Sequence, residues 1–178
     1  MKKAILVRGP SGCGKSTYAR QLVAQYEKLG NEVVVCSADD FFMKPVERMV
    51  SQSEAGMVFK KVMEYQFDPA KLAEAHARCF GKFLDAVQEA ECKGIDRLIV
   101  VDNTFIHRWE MKNYVKAAKF ADCVVDVHEF RVETVEELRM CVRRNVHKVP
   151  ADVVVRMAFE FEPHDGGVVV VPIEEGNA

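Results

Sequence analysis

Residues 9–16 read Gly9-Pro10-Ser11-Gly12-Cys13-Gly14-Lys15-Ser16, the spacing G-x-x-x-x-G-K-[ST] of a phosphate-binding loop. Such a loop constrains the chain on both sides, because it sits between a strand and a helix. Ala4-Ile5-Leu6-Val7 is an apolar run with the length of a buried parallel strand. After the loop, residues 18, 19, 22, 23 and 26 are apolar at the spacing of a helix face. The glycines let the backbone curl so that N–H groups point inward at phosphate oxygens, and the helix N-terminus adds partial positive charge. The expected nucleotide grip is therefore Gly9, Pro10, Ser11, Gly12, Cys13, Gly14, Lys15, Ser16 and Thr17. Lys15 reaches the β- and γ-phosphates of ATP, and the Ser16 hydroxyl ligates Mg²⁺.

The chain has 178 residues, which fits one domain over 1–178 with a real core. Hydrophobic residues make up 49% and charged residues 29%, ordinary for a soluble domain. The net charge of −2 gives no global basic field, so a nucleic-acid partner would need a local basic patch. The 6 cysteines lack the close spacing of a zinc site or redox pair, which points to reduced thiols and a cytoplasmic location. Met1-Lys2-Lys3 precedes only a short apolar run, so it reads as a strand and not as a secretion signal. No apolar stretch has membrane-spanning length, and nothing implies a membrane or an obligate protein partner.

Strand and helix alternate along the chain. Further strands are expected at 32–37, 97–101 and 123–128, and a fifth at 168–171 after Asp165-Gly166-Gly167. A long helix opens at Asp68-Pro69, with a stripe of Leu72, His76, Cys79, Phe80, Phe83 and Val87. Shorter helices are expected over 109–119, 135–144 and 151–161. This order predicts a single-domain α/β fold: a parallel sheet of about five strands flanked by helices, with a helical lid. Segment 43–66 has only fragments of helical periodicity. It reads as an irregular stretch or a small helical excursion, a possible insertion on the acceptor side.

In open parallel sheets, ligands bind beyond the carboxyl ends of the strands. The second strand runs into Asp39-Asp40, and the third into Asp102-Asn103-Thr104. If these strands neighbour the first, all three carboxylates converge on the γ-phosphate. Asp102 then serves the metal, directly or through water, and the competing reading is a turn or cap. Phosphoryl transfer to a hydroxyl needs a proton acceptor, so one acid of the Asp39-Asp40 pair is expected to be catalytic and the other structural. Capping of a short helix is the competing reading. Residues 139–150 form a basic lid segment. Arg139, Arg143 and His147 would share one helical face, and Met140, Arg144 and Lys148 the next. Arginines there could close over the transferring group, or pair with Glu133, Glu136 and Glu137 on a solvated face.

The opening and four later, ordered blocks carry a family resemblance. The opening through Lys15-Ser16-Thr17-Tyr18-Ala19-Arg20, then Ala38-Asp39-Asp40-Phe41, Asp102-Asn103-Thr104, Arg143-Arg144-Asn145 and Val149-Pro150-Ala151-Asp152-Val153 with Arg156-Met157, resembles the bacteriophage polynucleotide 5′-hydroxyl kinases. Eukaryotic relatives that bind a ubiquitin ligase are similar in His107 with Trp109-Glu110-Met111-Lys112, and in Arg143-Arg144-Asn145 with His147. The resemblance implies a P-loop kinase with ATP and Mg²⁺, Asp39 as general base, and Arg144 flanked by Arg143 as the lid arginines. It also implies acceptor-side roles for Asp40, Asn103 and His76. The chain departs from the pattern at Phe42, where phage enzymes carry an arginine, and at Phe105, where asparagine is usual. Segment 43–66 is longer than in the eukaryotic relatives. All three departures are expected on the acceptor side. The function expected is phosphoryl transfer from ATP to the 5′-hydroxyl of a nucleic acid or nucleotide. The alternatives are a kinase of a small hydroxyl compound and an ATP-binding switch with slow hydrolysis.

Overall fold

A computed structural model describes residues 2–53 and 56–171. The acidic tail beyond 171 and residues 54–55 of segment 43–66 lie outside the described residues. Strands β1 (Lys3–Arg8), β2 (Glu32–Ser37), β5 (Arg97–Asp102), β6 (Val124–Glu129) and β7 (Val168–Val169) form one sheet. Its order is β2-β5-β1-β6-β7, and every pairing is parallel. Between them run helices α1 (Lys15–Lys28), α2 (Leu72–Lys93), α3 (Lys112–Phe120), α4 (Val135–Arg143) and α5 (Ala151–Phe159).

The central strands are buried on both faces, and their side chains alternate between two cores. Ala4, Leu6, Ile99 and Val101 pack with α2 and α3 through Phe83, Cys79 and Tyr114. Ile5, Val7, Leu98 and Val100 pack with α1, α4 and α5 through Leu22, Cys141 and Val154. Asp68 and Pro69 open a 3₁₀ turn, Pro69–Lys71, that runs straight into α2: Asp68 accepts from the Ala70 N–H at 3.0 Å, with Pro69 at the turn's first position. Its buried stripe is Ala75, Cys79, Phe83, Ala86, Val87 and Ala90. Leu72, expected on that stripe, is 41% exposed, and His76 lies half-buried beside it.

Segment 43–66 corrects the expectation. It is neither irregular nor helical: β3 (Met43–Ser53) and β4 (Gly56–Tyr65) form an antiparallel hairpin outside the main sheet. Alternation there is blurred by Pro45 and by a register shift between Met49 and Ser51, so no clean period of two shows. Its root rests on Phe42, which is 2% exposed and packs against Tyr65 and Phe67 with ring centroids 5.8 and 5.0 Å away. The lid segment is corrected as well. Helix α4 ends at Arg143, and Lys148 takes a left-handed φ of 54°, so Arg143 and His147 share no helical face.

A buried ion network underlies the end of the sheet that carries the loop. Arg8 is wholly buried. Its Nε and one NH₂ donate to the Phe105 carbonyl at 2.9 and 2.6 Å, and that NH₂ also donates to Ile106 at 2.9 Å. The other NH₂ lies 3.3 Å from Glu129 Oε2, and the Phe161 ring covers the guanidinium at 4.2 Å. Glu129, equally buried, also takes Arg131 and the His164 N–H. Breaking a buried pair leaves an uncompensated charge, so Arg8→Met should cost about 3–5 kcal/mol. Urea denaturation checks this, and an unchanged midpoint would show that the network adds nothing to stability.

Candidate active site

The sheet order brings the three informative strand ends side by side. Strand β5 lies between β2 and β1, with Ser37 opposite Asp102 and Val7 opposite Asp102 in the two registers. The phosphate loop leaves β1, its Gly9 N–H bonding the Thr104 carbonyl at 2.9 Å. Close approach explains two of its glycines. A Cβ on Gly9 would stand 2.8 Å from Phe130 Cβ and 2.9 Å from Cys13 Sγ. A Cβ on Gly12 would stand 1.9 Å from the Cys141 carbonyl oxygen, at a φ of 78°. The loop is thus wedged against the backbone of α4.

Pro10 and Cys13 are buried in the loop, Ser11, Gly12 and Gly14 are half-buried, and Ser16 and Thr17 are exposed at the start of α1. Thr17 Oγ1 accepts from Arg20 at 3.2 Å. Lys15 is buried and donates to the Pro10 carbonyl at 2.8 Å. Burial pushes the Cys13 thiol pKa up despite nearby Lys15, which makes it an inert small residue. Cys141 beside it is pushed up by burial to about 12.

Asp102 is 8% exposed. Burial raises its carboxyl pKa, against the pull of Lys15 and a hydrogen bond from Ser16. Asp39 and Asp40 push the same way as burial, so the three carboxylates sense one another. Lys15, Ser16 and a buried strand-end acid fit a magnesium nucleotide, with Ser16 and Asp102 on the metal side. Asn103 is structural: its Oδ1 accepts from the Ala38 N–H at 2.9 Å, and its Nδ2 reaches Cys79 Sγ at 3.4 Å. It bolts β5 to the turn that carries Asp39.

Asp39 and Asp40 open a short 3₁₀ turn, Asp39–Phe42, and point to different neighbours. The Asp40 carboxylate is 62% exposed and meets Lys82 at 3.5 Å. Asp39 is 48% exposed and held from two sides. The Tyr65 hydroxyl donates to Oδ1 at 2.9 Å, and His147 Nε2 lies 3.5 Å from Oδ2. The Tyr65 and His147 rings contact each other, centroids 4.0 Å apart. Tyr65 is the last residue of the hairpin and had no signal in the sequence, because the hairpin itself did not. His147 lay within the basic segment and the family block, but its partner could not be read there.

The arginines separate. Arg143 is exposed and bonds Glu136 at 3.1 Å, the solvated-face pairing. Arg144 is half-buried just past α4, makes no ion pair among the described residues, and bears electrostatically on the Cys141 thiol. Phe42 and Phe105 are core residues, 2% and 3% exposed, and Phe105 turns at a φ of 41° to give its carbonyl to Arg8. His76 stays half-buried on α2.

A glycine-rich loop between a central parallel strand and a helix, faced by Lys15, Ser16 and Asp102, defines a P-loop α/β domain with the fold of the small kinases. The chain belongs to the AAA domain family, whose model matches residues 5–164. NEDD4-binding protein 2 of Homo sapiens is 27% identical over 158 residues, which is 89% of this chain, and the chain spans 8% of that relative's length. The APS kinase CysC of Mycobacterium tuberculosis, in complex with AMPPNP and APS, is similar with a TM-score of 0.60. That match covers 98% of this chain and 90% of the other at 16% identity. Kti12 of Chaetomium thermophilum, in complex with ADP-AlF3, gives 0.59 over 94% and 88% at 16% identity. A gluconokinase from Sinorhizobium meliloti gives 0.54 over 97% and 84% at 13% identity. These likenesses are likenesses of fold. Among the described residues, no helix is long and apolar enough to cross a membrane.

The raised Asp102 pKa has a consequence for stability. The folded protein holds this proton to a higher pH than the unfolded chain does. Its contribution therefore favours folding below the ordinary carboxylate value near 4 and is lost as pH rises through the folded value. Asp102→Asn should raise the melting temperature at neutral pH without added nucleotide, and flatten the fall between acid and neutral pH. Melting curves across pH check this, and a lower neutral melting temperature would contradict it.

Proposed function

We propose that the protein is an ATP-dependent kinase that transfers a phosphoryl group to a hydroxyl, with the 5′-hydroxyl of a nucleic acid or nucleotide as acceptor. The observation that carries this reading is the Asp39 carboxylate. It is accessible, oriented by Tyr65 and His147, and set one strand from the buried Asp102 beside the phosphate loop. A domain that only bound nucleotide would have no use for an oriented, accessible carboxylate there. The 5′-hydroxyl follows from the likeness of the loop, the Asp39-Asp40-Phe41 block and the Arg143-Arg144-Asn145 block to the polynucleotide kinases.

The residues divide the work. The loop amides and Lys15 hold and neutralise the ATP phosphates. Mg²⁺, held by Ser16 and Asp102, would supply countercharge between the phosphates. Asp39 accepts the proton of the attacking hydroxyl as the new O–P bond forms and the bond from the γ-phosphorus to the bridging oxygen breaks, releasing ADP. Tyr65 donates to Oδ1 and His147 stands beside Oδ2, and together they set the orientation of the carboxylate. Arg144 approaches the transferring group from the α4 side, while Arg143 stays paired with Glu136 on the solvated face. Positioning and electrostatics account for the catalysis.

Incubation with γ-labelled ATP and Mg²⁺ tests the reading, with a 5′-hydroxyl oligonucleotide, mononucleotides and a panel of small hydroxyl compounds in separate reactions. Label on the oligonucleotide or mononucleotide supports it. Label only on another small compound replaces the acceptor class, and phosphate release to water at one slow rate in every tube makes the protein a switch. Asp39→Asn should slow transfer by roughly two to four orders of magnitude with ATP binding retained. Tyr65→Phe removes one bond to a charged group and should slow it roughly 10- to 100-fold. Arg144→Ala should slow transfer while ATP still binds. A change in melting temperature alone would return Arg144 to a structural role.

A further inference from the structure

Four cations follow one another along α3 and the 3₁₀ turn before it: Arg108, Lys112, Lys116 and Lys119. Their spacings of four, four and three place them on one helical face. They line a groove of about 430 Å³, closed on its other side by His164 and Asp165. Trp109, 70% exposed, stands at one end of the same groove.

The charges in this groove are poorly balanced. Asp165 pairs with Arg108 at 3.1 Å. Glu110 and Glu162 are the other acids near the turn, and both are engaged by backbone N–H groups. Glu110 accepts from His107 at 2.7 Å and Glu162 from Arg108 at 2.8 Å. Lys112, Lys116 and Lys119 are exposed and make no ion pair among the described residues. On a chain with a net charge of −2, this is a local positive stripe.

We propose that this groove binds single-stranded nucleic acid, with its phosphates on the α3 cations and a base stacked on Trp109. A helix rise of 1.5 Å per residue sets the α3 cations about 4.5 to 6 Å apart along the axis, comparable to successive phosphates of an extended strand. A basic track with an exposed aromatic is the usual means of holding single strands without sequence preference. An acidic peptide would satisfy the lysines but leave the indole without a role. The wall is rigid, because the His164 N–H bonds the buried Glu129 carboxylate at 3.0 Å. Arg108 follows Asp102 by six residues, so the groove opens within about 20 Å of the phosphate loop's metal side. It rests on the proposed function only for why a strand should come to this end of the molecule.

The chain has 1 tryptophan, so fluorescence excited at the red edge of the indole band, where tyrosine does not absorb, reports Trp109 alone. The full chain is titrated with a 5′-phosphorylated single strand of about ten nucleotides, within the site sizes of such tracks. Its 5′ end cannot accept a phosphoryl group at a free hydroxyl, so binding is read apart from transfer. Quenching is expected. The logarithm of the binding constant should fall with the logarithm of salt concentration at a slope of about −2 to −3, for three or four phosphates at about −0.7 each. Lys112→Gln with Lys116→Gln should weaken binding and flatten the slope by about 1.4. Lys119→Gln alone should flatten it by about 0.7, should the double variant fail to fold by circular dichroism. Absence of quenching, a slope near zero, or variants that bind like the parent protein overturn the proposal. Polyglutamate that quenches and competes equally well overturns it in favour of an acidic protein partner.

Discussion

A guanidinium without access to water organises the functional end of this molecule. Arg8 closes β1, and its donors are spent on the Phe105 and Ile106 carbonyls and on Glu129 at the end of β6. Three segments distant in sequence are thereby fixed to one planar group. The next residue along the chain is Gly9, the start of the phosphate loop. The loop therefore rests on a platform whose charge is fully satisfied inside the protein, and Lys15 and Arg144 remain for other anions. A lysine in place of Arg8 would bring three donors from a single point and could not reproduce the planar fork.

From that platform the site assembles by strand adjacency. Placing β5 between β1 and β2 sets Asp102 beside the loop and Asp39 one strand further, and Asn103 fixes the separation. Two appendages then meet over Asp39. The hairpin brings Tyr65 and the turn after α4 brings His147, their rings in contact. The loop side is held by packing and backbone contact, as at Gly12 against Cys141. The Asp39 side is held by two side chains, Tyr65 and His147. In the proposed reaction the acceptor hydroxyl approaches on that second side.

How much of this was legible in the sequence follows from the range of the signals. The phosphate loop, the five strands and the opening of α2 each depend on neighbours in sequence, and each appears where the pattern placed it. The hairpin was missed because Pro45 and a register shift interrupt its alternation. Phe42 and Phe105 are expected on the acceptor side because they replace polar residues of the resembled family. The structure buries both, Phe42 under the hairpin and Phe105 against Tyr114. An arginine at the end of an apolar strand reads as solvent-exposed, and nothing local to Arg8 announces Glu129, 121 residues away. The Tyr65–Asp39–His147 contact is likewise a property of the folded chain, since its members come from three unrelated segments.

The β3–β4 ribbon carries a further consequence, for the behaviour of the molecule among copies of itself. A strand pair outside the main sheet has two open edges, each a row of unpaired backbone groups able to recruit another chain. Here Pro45 removes one donor, and the shift between Met49 and Ser51 breaks the register that a second strand would need. Arg48, Lys60 and Lys61 add charge along the flanks, where Met49 and Met63 are more than half exposed. The features that hid the arm from a reading of its alternation are thus the ones that keep it from pairing with its twin.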